Sequence, residues 1–266
     1  MRDGRSFVTA AALLLGAALS PLSWAAYVTG SEFVNYQRST AQYTSGGTTY
    51  GPYAWNVRYT RSFDGTRFSK DVQIGFDFDA GLGFTDAQKQ DYRHAAERQI
   101  EDMWNGRYYL EDLTTMTFFP LDVDVTLVGP LDQTVLVKAT QGAGDPGYDM
   151  LHWYTDQDTP SFQSHEFGHM LGLFDEYIGG AVNQFPDPLL SADGLMGLGA
   201  RNAAPVMYER YYQQYLDYMN LLNPGGRFAL VPVPEPASLA LVAVALLALL
   251  WQRRGGRAAG LAGSTR

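Results

Sequence analysis

Residues 159–175 have the sequence TPSFQSHEFGHMLGLFD, and this stretch decides how the rest of the chain is arranged. Thr159 is a good helix N-cap and Pro160 suits the first helical position, so a helix is predicted over 160–172, with Gly172 as its end. His165 and His169 lie four residues apart, which puts both imidazoles on one face of that helix. Two imidazoles one turn apart are what a tetrahedral Zn²⁺ needs from a single element.

Glu166 lies next to the first of these histidines and is placed to act as a general base. Zinc lowers the pKa of a water that it holds toward ~7, and a carboxylate can take the proton of that water as it attacks a peptide carbonyl. Glu166 would then pass the proton to the leaving amine. The chain has 4 His and no Cys, so a zinc site must be built from histidines and carboxylates.

The residues that follow the helix offer a third ligand. Gly172 permits a positive φ, so it can turn the chain back toward the metal and bring Asp175 to it. Glu176 is the adjacent alternative, and either carboxylate is otherwise an ordinary solvated loop side chain. We therefore predict a metal site of His165, His169 and Asp175.

The extended pattern from His165 to Asp175 resembles the metzincin metallopeptidases, whose motif has a glycine and a third ligand at the same spacings. Most members have His at the last position, and the Asp found here is similar to the snapalysin-like enzymes. The run Asp175-Glu176-Tyr177 is also similar to the IgA-peptidase-like bacterial metalloenzymes, which is the argument for Glu176. The resemblance implies a zinc metalloendopeptidase.

The resemblance also implies features around the metal. A methionine turn should lie beneath it, and Met196 in a glycine-flanked turn is the candidate, whereas Met207 lies in an apolar helical pattern typical of a core. An edge strand should precede the active-site helix and bind substrate as an added strand, and residues 149–154 occupy that place. His152 within it is expected to be a strand residue rather than a ligand. Tyr208 is expected to pack in the core or on the surface, with oxyanion stabilisation as the alternative.

Composition and charge narrow the class of protein. The chain is 46% hydrophobic and 18% charged, so it can bury a sizeable core. The formal net charge is −9, and because both ends are positive the part between them is more acidic still. An acidic protein of this kind is not expected to bind nucleic acid. A calcium site in the acidic loop Asp156-Gln157-Asp158 is a further expectation, with a solvated loop as the alternative.

The N-terminus has the pattern of a secretory signal peptide. Arg2 and Arg5 precede an apolar run over 7–19, and small residues precede a cleavage point after Ala25. The apolar run is shorter than the ~17–20 residues that a membrane-spanning helix needs, which argues against an N-terminal anchor. We expect residues 1–25 to be removed on export.

The C-terminus has three parts in a fixed order. Pro234-Glu235-Pro236 comes first, an apolar run over 239–251 follows, and Arg253-Arg254 closes it. The order resembles the PEP-CTERM sorting signal of exported proteins in Gram-negative bacteria, which implies handling by an exosortase-type membrane enzyme. Residues 233–254 would then hold a short transmembrane segment that anchors the chain transiently in the inner membrane, before a basic Gly/Ala-rich tail over 255–266. An ordinary C-terminal membrane helix is the alternative, although ~13–15 apolar residues are short for that role.

Residues 26–232 are predicted to form one metallopeptidase domain of the α+β class. Residues 27–52, rich in Thr, Ser, Gly and Tyr, indicate loop or irregular strand, and a capping-box pattern predicts a helix over 86–104. Helical spacing predicts a last helix over 205–222, and a turn is expected near Gly129-Pro130. Alternating apolar and polar residues predict strands at 53–63, 72–78, 122–128, 134–139 and 150–154. The resemblance implies a mixed twisted sheet with a backing helix and an active-site helix, followed by a small C-terminal helical lobe.

The expected function is that of an exported zinc-dependent endopeptidase with a protein or peptide substrate, acting in the periplasm, at the cell surface or in the extracellular matrix. One alternative is a catalytically idle surface or matrix protein with a structural zinc site. A structural site needs no base beside an open coordination position, so Glu166 argues against it. The other alternative is a zinc amidohydrolase that acts on an extracellular polymer.

Overall fold

The structure, a computed structural model, describes residues 27–127 and 131–234. The signal peptide predicted for residues 1–25, the turn near Gly129-Pro130 and the tail beyond Pro234 lie outside these residues. The described chain has a mixed α+β fold, which confirms the predicted fold class. No helix within those two ranges is long and apolar enough to cross a membrane.

Three α-helices and ten strands make up the described part of the chain. In chain order they are β1 Gly30–Ser39, β2 Tyr43–Ser45, β3 Thr48–Tyr50, β4 Ala54–Phe63, β5 Phe68–Phe78, α1 Asp86–Trp104, β6 Tyr108–Asp112, β7 Thr117–Thr126, β8 Gln133–Lys138, β9 His152–Tyr154, α2 Pro160–Met170, α3 Gln213–Leu222 and β10 Phe228–Pro232. Short 3₁₀ helices lie at Ala80–Leu82, Leu198–Arg201 and Glu209–Tyr212. The predicted helix over 86–104 is confirmed, and the one predicted over 160–172 ends two residues earlier, at Met170.

The main sheet is mixed and centres on β5. Its strands pair in the order β1-β4-β5-β7-β6-β10, while β8 pairs with β5 and carries β9 on its other side. β5 is antiparallel to β4, but its first half is parallel to β7 and its second half is parallel to β8. β9 runs parallel to β8 and leads directly toward α2. β2 and β3 form a separate hairpin.

The core lies between the sheet and the helices. Side chains of β5 alternate between buried and partly buried positions, and α1 turns Ala96, Ile100 and Trp104 inward. The indole N–H of Trp104 donates to the carbonyl oxygen of Ser164 in α2 at 3.1 Å. Because this bond joins the last residue of α1 to the middle of α2, it helps to position the helix that carries the two histidines.

The prediction of loop or irregular strand for residues 27–52 is wrong over β1. This ten-residue strand pairs antiparallel with β4 along its whole length, from Gly30↔Phe63 to Ser39↔Ala54. Its side chains alternate between exposed and half-buried positions, because it pairs on one side only in the described part of the chain. The sequence therefore lacks the apolar alternation by which strands are usually recognised.

The C-terminal helical part is smaller than the predicted lobe. The pattern over 205–222 forms a short 3₁₀ helix and then α3, after which the chain returns to the sheet as β10 beside β6. Tyr211, Tyr212, Tyr215 and Tyr218 are buried in the same core as the sheet. This segment therefore packs as part of the main domain.

Candidate metal centre

The helix α2 begins where its sequence predicts. The Thr159 side chain accepts a hydrogen bond from the Phe162 N–H at 3.1 Å, and Pro160 occupies the first turn. After the helix, Gly172 has φ 88°, a left-handed conformation that favours glycine. A Cβ at Gly172 would also collide with the Tyr36 hydroxyl. Glycine is therefore required where the chain turns back toward the histidines.

The two imidazoles of α2 have fixed orientations. His165 Nδ1 lies 2.7 Å from the carbonyl oxygen of Leu195, and His169 Nδ1 lies 2.9 Å from that of Leu173. A carbonyl can only accept, so each Nδ1 carries the proton and each Nε2 presents its lone pair when the ring is neutral. Both Nε2 atoms face the same point, and the ring centroids lie 4.9 Å apart.

Asp175 joins the two histidines at this point. Its Oδ1 atom lies 3.1 Å from His165 Nε2 and 3.4 Å from His169 Nε2. Its Oδ2 atom accepts a hydrogen bond from the Ala181 N–H at 2.6 Å. Oδ1 is buried and makes no hydrogen bond of acceptable geometry. One carboxylate oxygen is thus held by the backbone while the other is directed between two imidazoles.

Three acceptor atoms that converge in a buried site fit a cation. Ligands at ~2.0–2.2 Å from a tetrahedral Zn²⁺ lie about 3.3 Å from one another, close to the two observed separations of 3.1 and 3.4 Å. In the described part of the chain, His165, His169 and Asp175 are the one group of three metal-ligating side chains within reach of one ion. The donor set of two neutral imidazoles and a carboxylate suits zinc.

The imidazoles and the carboxylate of this group shift one another's pKa values. Burial alone would lower the pKa of His165, but the adjacent Asp175 carboxylate and the charge of Glu166 outweigh it and raise that pKa. Burial would raise the pKa of Asp175, yet the two histidines hold it well below its usual range. A buried carboxylate that stays ionised requires a neighbouring positive charge, from protons or from a metal ion.

Glu166 is buried beside this group. Burial raises the pKa of its carboxyl to about 8; the His165 imidazole opposes that shift, and the charge of Asp175 adds to it. A cation held by the three acceptors would bring this pKa back down toward neutrality. A pKa near the working pH is what a general base requires.

A cleft with a volume of about 490 Å³ opens over the site. Glu166, His169 and Asp175 form part of its floor, and residues 147–152 form one wall. His152 lies in that wall, where its Nδ1 is 2.9 Å from Asp149 Oδ1. As predicted, it is a strand residue outside the His-His-Asp group. The cleft is also lined by aromatic side chains that the sequence did not single out: Tyr53, Trp55, Tyr148 and Tyr177.

Met196 lies beneath the helix that carries the histidines. Its side chain is fully buried, and a Cβ on Gly168 would overlap its sulfur atom. The preceding residue supplies the carbonyl oxygen that holds His165 Nδ1. Met207 is only partly buried and lies at the edge of the core.

Other predicted candidates make different contacts. Glu176 binds Arg210 through both carboxylate oxygens at 2.6 Å and accepts from the Tyr211 hydroxyl at 3.0 Å, so it faces away from the histidines. The Tyr208 hydroxyl donates to Asp193 at 2.6 Å. Asp158, a candidate calcium ligand, accepts hydrogen bonds from Tyr148 and Tyr92 on its two carboxylate oxygens. The calcium expectation therefore has no support from the arrangement of this loop.

Comparison with known proteins bears on the C-terminus. No curated protein and no solved structure matches the chain. Residues 232–254 match the PEP-CTERM protein-sorting motif. This motif marks the chain for recognition by an exosortase and for export to the cell envelope or surface of a Gram-negative bacterium.

Proposed function

We propose that this exported protein is a zinc-dependent endopeptidase that hydrolyses peptide bonds with Glu166 as general base. The observation that carries the proposal is the convergence of His165 Nε2, His169 Nε2 and Asp175 Oδ1 on one buried point, with both Nδ1 atoms already held by carbonyl oxygens. Such second contacts fix the tautomer of metal-binding histidines. The metzincin resemblance of residues 165–175 supports the same assignment.

The chemistry divides between the metal and the chain. Zinc, when bound by His165, His169 and Asp175, supplies the Lewis acidity that acidifies water and polarises a carbonyl. Glu166 accepts the proton of the attacking water and delivers it to the leaving amine. The buried position of Glu166 keeps its carboxyl away from bulk water, so that proton stays in the site.

The substrate proposed is an extended polypeptide. Residues 147–152 line the cleft, and β9 pairs with no strand but β8 in the described part of the chain, although the His152 N–H and carbonyl oxygen bond those of Asp149. An extended peptide would lie along this wall and form main-chain hydrogen bonds with the residues that precede β9. The aromatic side chains in the cleft add apolar surface for side chains of the peptide.

A structural zinc site in an idle surface protein is the main alternative. A structural site is closed, with four protein ligands, whereas the described residues offer three ligands below an open cleft. Glu166 would also be a costly residue to bury without a catalytic role. Both observations favour the peptidase. The amidohydrolase alternative shares this chemistry and differs in substrate.

The test combines metal analysis with a cleavage assay on the full chain. Zinc content is measured by mass spectrometry, and hydrolysis is followed with a labelled unfolded protein, for the wild type and for Glu166→Gln. Glu209→Gln is the matched control, because Glu209 is exposed and lies outside the cleft lining. We expect Glu166→Gln to keep its zinc and to lose at least ~10²-fold in cleavage rate, with Glu209→Gln unchanged.

Each other outcome has a definite meaning. Cleavage that survives Glu166→Gln, or a wild type that binds no zinc and is indifferent to EDTA, would contradict the proposal. Zinc binding without cleavage of any protein would favour the structural site. Glu166-dependent hydrolysis of amides in an extracellular polymer, but not of proteins, would favour the amidohydrolase.

A further inference from the structure

The hairpin β2–β3 contacts the loop that follows the metal-site helix. Tyr43, the first residue of β2, is buried, with 5% of its surface exposed. Its hydroxyl accepts a hydrogen bond from the Gly179 N–H at 2.9 Å and donates one to the carbonyl oxygen of Gly180 at 2.9 Å. Tyr53 adds a third bond, from its hydroxyl to the carbonyl oxygen of Gly179 at 2.8 Å. Two tyrosines therefore hold a Gly-Gly pair, which has the greatest backbone freedom of any dipeptide.

The same Gly-Gly pair lies against the third acceptor of the metal centre. A Cβ at Gly180 would collide with the Asp175 carboxylate. The next residue, Ala181, donates its N–H to Asp175 Oδ2 at 2.6 Å, and its carbonyl oxygen accepts from the Asp175 N–H at 3.0 Å. The position of residues 179–181 thus determines which way the Asp175 carboxylate turns. With Oδ2 held, Oδ1 is directed at the two Nε2 atoms.

We propose that Tyr43 is a positioning residue for the metal, which acts through residues 179–181 to hold Asp175 in its ligating orientation. The proposal rests on the proposed function only in requiring that His165, His169 and Asp175 bind a metal ion. It follows that the N-terminal hairpin, far from α2 in sequence, controls how tightly the metal is retained. Partners that orient a ligand in this way typically contribute 10–100-fold in metal affinity.

A purely structural role for Tyr43 is distinguishable because its ring and its hydroxyl make different contacts. The ring stacks on Phe185 at 4.8 Å and lies 5.3 Å from the Tyr50 ring. Tyr43→Phe keeps these ring contacts and removes only the two hydrogen bonds. Tyr50→Phe is the matched control, since Tyr50 lies in the same hairpin and its hydroxyl makes no hydrogen bond within residues 27–127 and 131–234.

The experiment measures metal binding by the full chain. Zinc dissociation constants are obtained by competition with a chromophoric chelator, and the Co²⁺-loaded proteins are compared by visible absorption, which reports the coordination geometry. We expect Tyr43→Phe to weaken zinc binding ~10–100-fold and to change the Co²⁺ spectrum. We expect Tyr50→Phe to match the wild type in both measurements.

Two additional variants keep the test decisive. In an Asp175→Asn background, Tyr43→Phe should produce no further loss of zinc affinity, because the residue through which Tyr43 acts no longer binds the metal. If Tyr43→Phe instead loosened the whole fold, it would still lower the zinc affinity in that background. Gly180→Ala places a methyl group against the Asp175 carboxylate while Tyr43 itself is unchanged, and it should weaken zinc binding even if Tyr43→Phe does not fold. Wild-type affinity in Tyr43→Phe, or equal losses in Tyr43→Phe and Tyr50→Phe, would overturn the proposal.

The outcome also separates this proposal from the proposed function. Zinc binding that depends on Tyr43 in a chain that cleaves no protein would reject the peptidase and retain the positioning role. A Glu166-dependent peptidase whose zinc affinity ignores Tyr43 would reject the positioning role alone. A wild type that binds no metal would overturn both.

Discussion

Gly168 lies between the two histidines of α2, and its replacement by alanine tests where Met196 packs. In a helix interior, Gly→Ala normally stabilises by about 1 kcal/mol, because glycine loses the most backbone freedom on folding. At this position a Cβ would overlap the Met196 sulfur and approach Trp104 Cζ2 at 3.3 Å. Both neighbours are fully buried, with 0% exposure, so neither can move into solvent.

The magnitudes decide the sign of the effect. Overpacking of a buried site costs about 1–3 kcal/mol, which offsets or exceeds the ~1 kcal/mol gained from helix propensity. We therefore expect Gly168→Ala to lower the free energy of unfolding by up to about 2 kcal/mol. Met196→Ala alone should lower it by about 2–5 kcal/mol. In the double variant the new methyl group enters the space that Met196 left, so its loss should be about 1–3 kcal/mol smaller than the sum of the two.

Urea unfolding in EDTA measures these free energies without a contribution from bound metal. Gly147→Ala is the control, because nothing lies within 4 Å of a Cβ built there; it should be neutral or slightly stabilising. If Gly168→Ala stabilised the protein, or if the two substitutions were additive, Met196 would not lie against α2 as described.

Three further predictions concern two other buried groups, Lys70 and Glu176. Lys70 lies with its Nζ 4.2 Å from the centroid of the Tyr215 ring, and burial, with Arg61 adding to it, lowers its pKa from 10.5 to about 7. A lysine whose pKa is lowered in the folded state costs no stability above pH ~10.5, where it is neutral in both states, and costs more as the pH falls to ~7. Replacing Lys70 with Met removes this cost. In urea unfolding, Lys70→Met should therefore be more stabilising at pH 6 than at pH 10, by up to about 4 kcal/mol. An equal effect at the two pH values would contradict this. Arg210→Ala leaves the buried Glu176 carboxylate without its partner and should cost about 2–4 kcal/mol in the same assay, whereas the double variant with Glu176→Gln should recover most of the loss. Glu176→Gln should also keep its zinc in metal analysis, and loss of zinc in that variant would make Glu176 a ligand.

The parts of the fold with local signals could be predicted from the sequence. The start of α1 follows from the capping box, in which Thr85 accepts from the Gln88 N–H and Gln88 bonds back to the Thr85 N–H. Thr159 and Pro160 likewise fix the start of α2. In both helices the decisive contacts lie within four residues of one another, so a single stretch of sequence contains them.

Three strands that pair with distant segments could not be predicted in this way. They are β1 and β10, at the ends of the strand order, and β6 between β7 and β10, as in Gly30↔Phe63 and Tyr108↔Pro232. Propensity for a strand depends on cross-strand neighbours and on burial, neither of which the local sequence specifies. The last helix, predicted over 205–222, was too long for a related reason. Its tyrosines have a spacing that indicates a helix, but the first of them are buried by packing against the sheet and α1 and not by lying in one continuous helix.

The choice between Asp175 and Glu176 depended on contacts that no local pattern contains. The two carboxylates are adjacent, so a small change in the path of the chain would exchange their positions. Arg210 and Tyr211 bind Glu176 on one side, and Ala181 binds Asp175 on the other. These partners lie 6 to 35 residues further along the chain, which is why the sequence left both candidates open.

Hydrogen bonds from tyrosine hydroxyls link distant segments of this chain, as disulfides do in many exported proteins. The chain has 17 Tyr and no Cys, and the long segment between α2 and α3 has little regular structure. Tyr43 and Tyr53 hold its first part, while the Tyr211 hydroxyl bonds Glu176 and accepts from the Met196 N–H at 3.3 Å. Each such bond contributes only about 1 kcal/mol, against ~2–4 kcal/mol for a disulfide, but each phenol also buries its ring. Because one hydroxyl can donate and accept at once, it can connect two backbone groups, as Tyr43 connects Gly179 and Gly180. The high tyrosine content, which composition alone assigns to core packing, therefore also fixes the loop that carries Asp175.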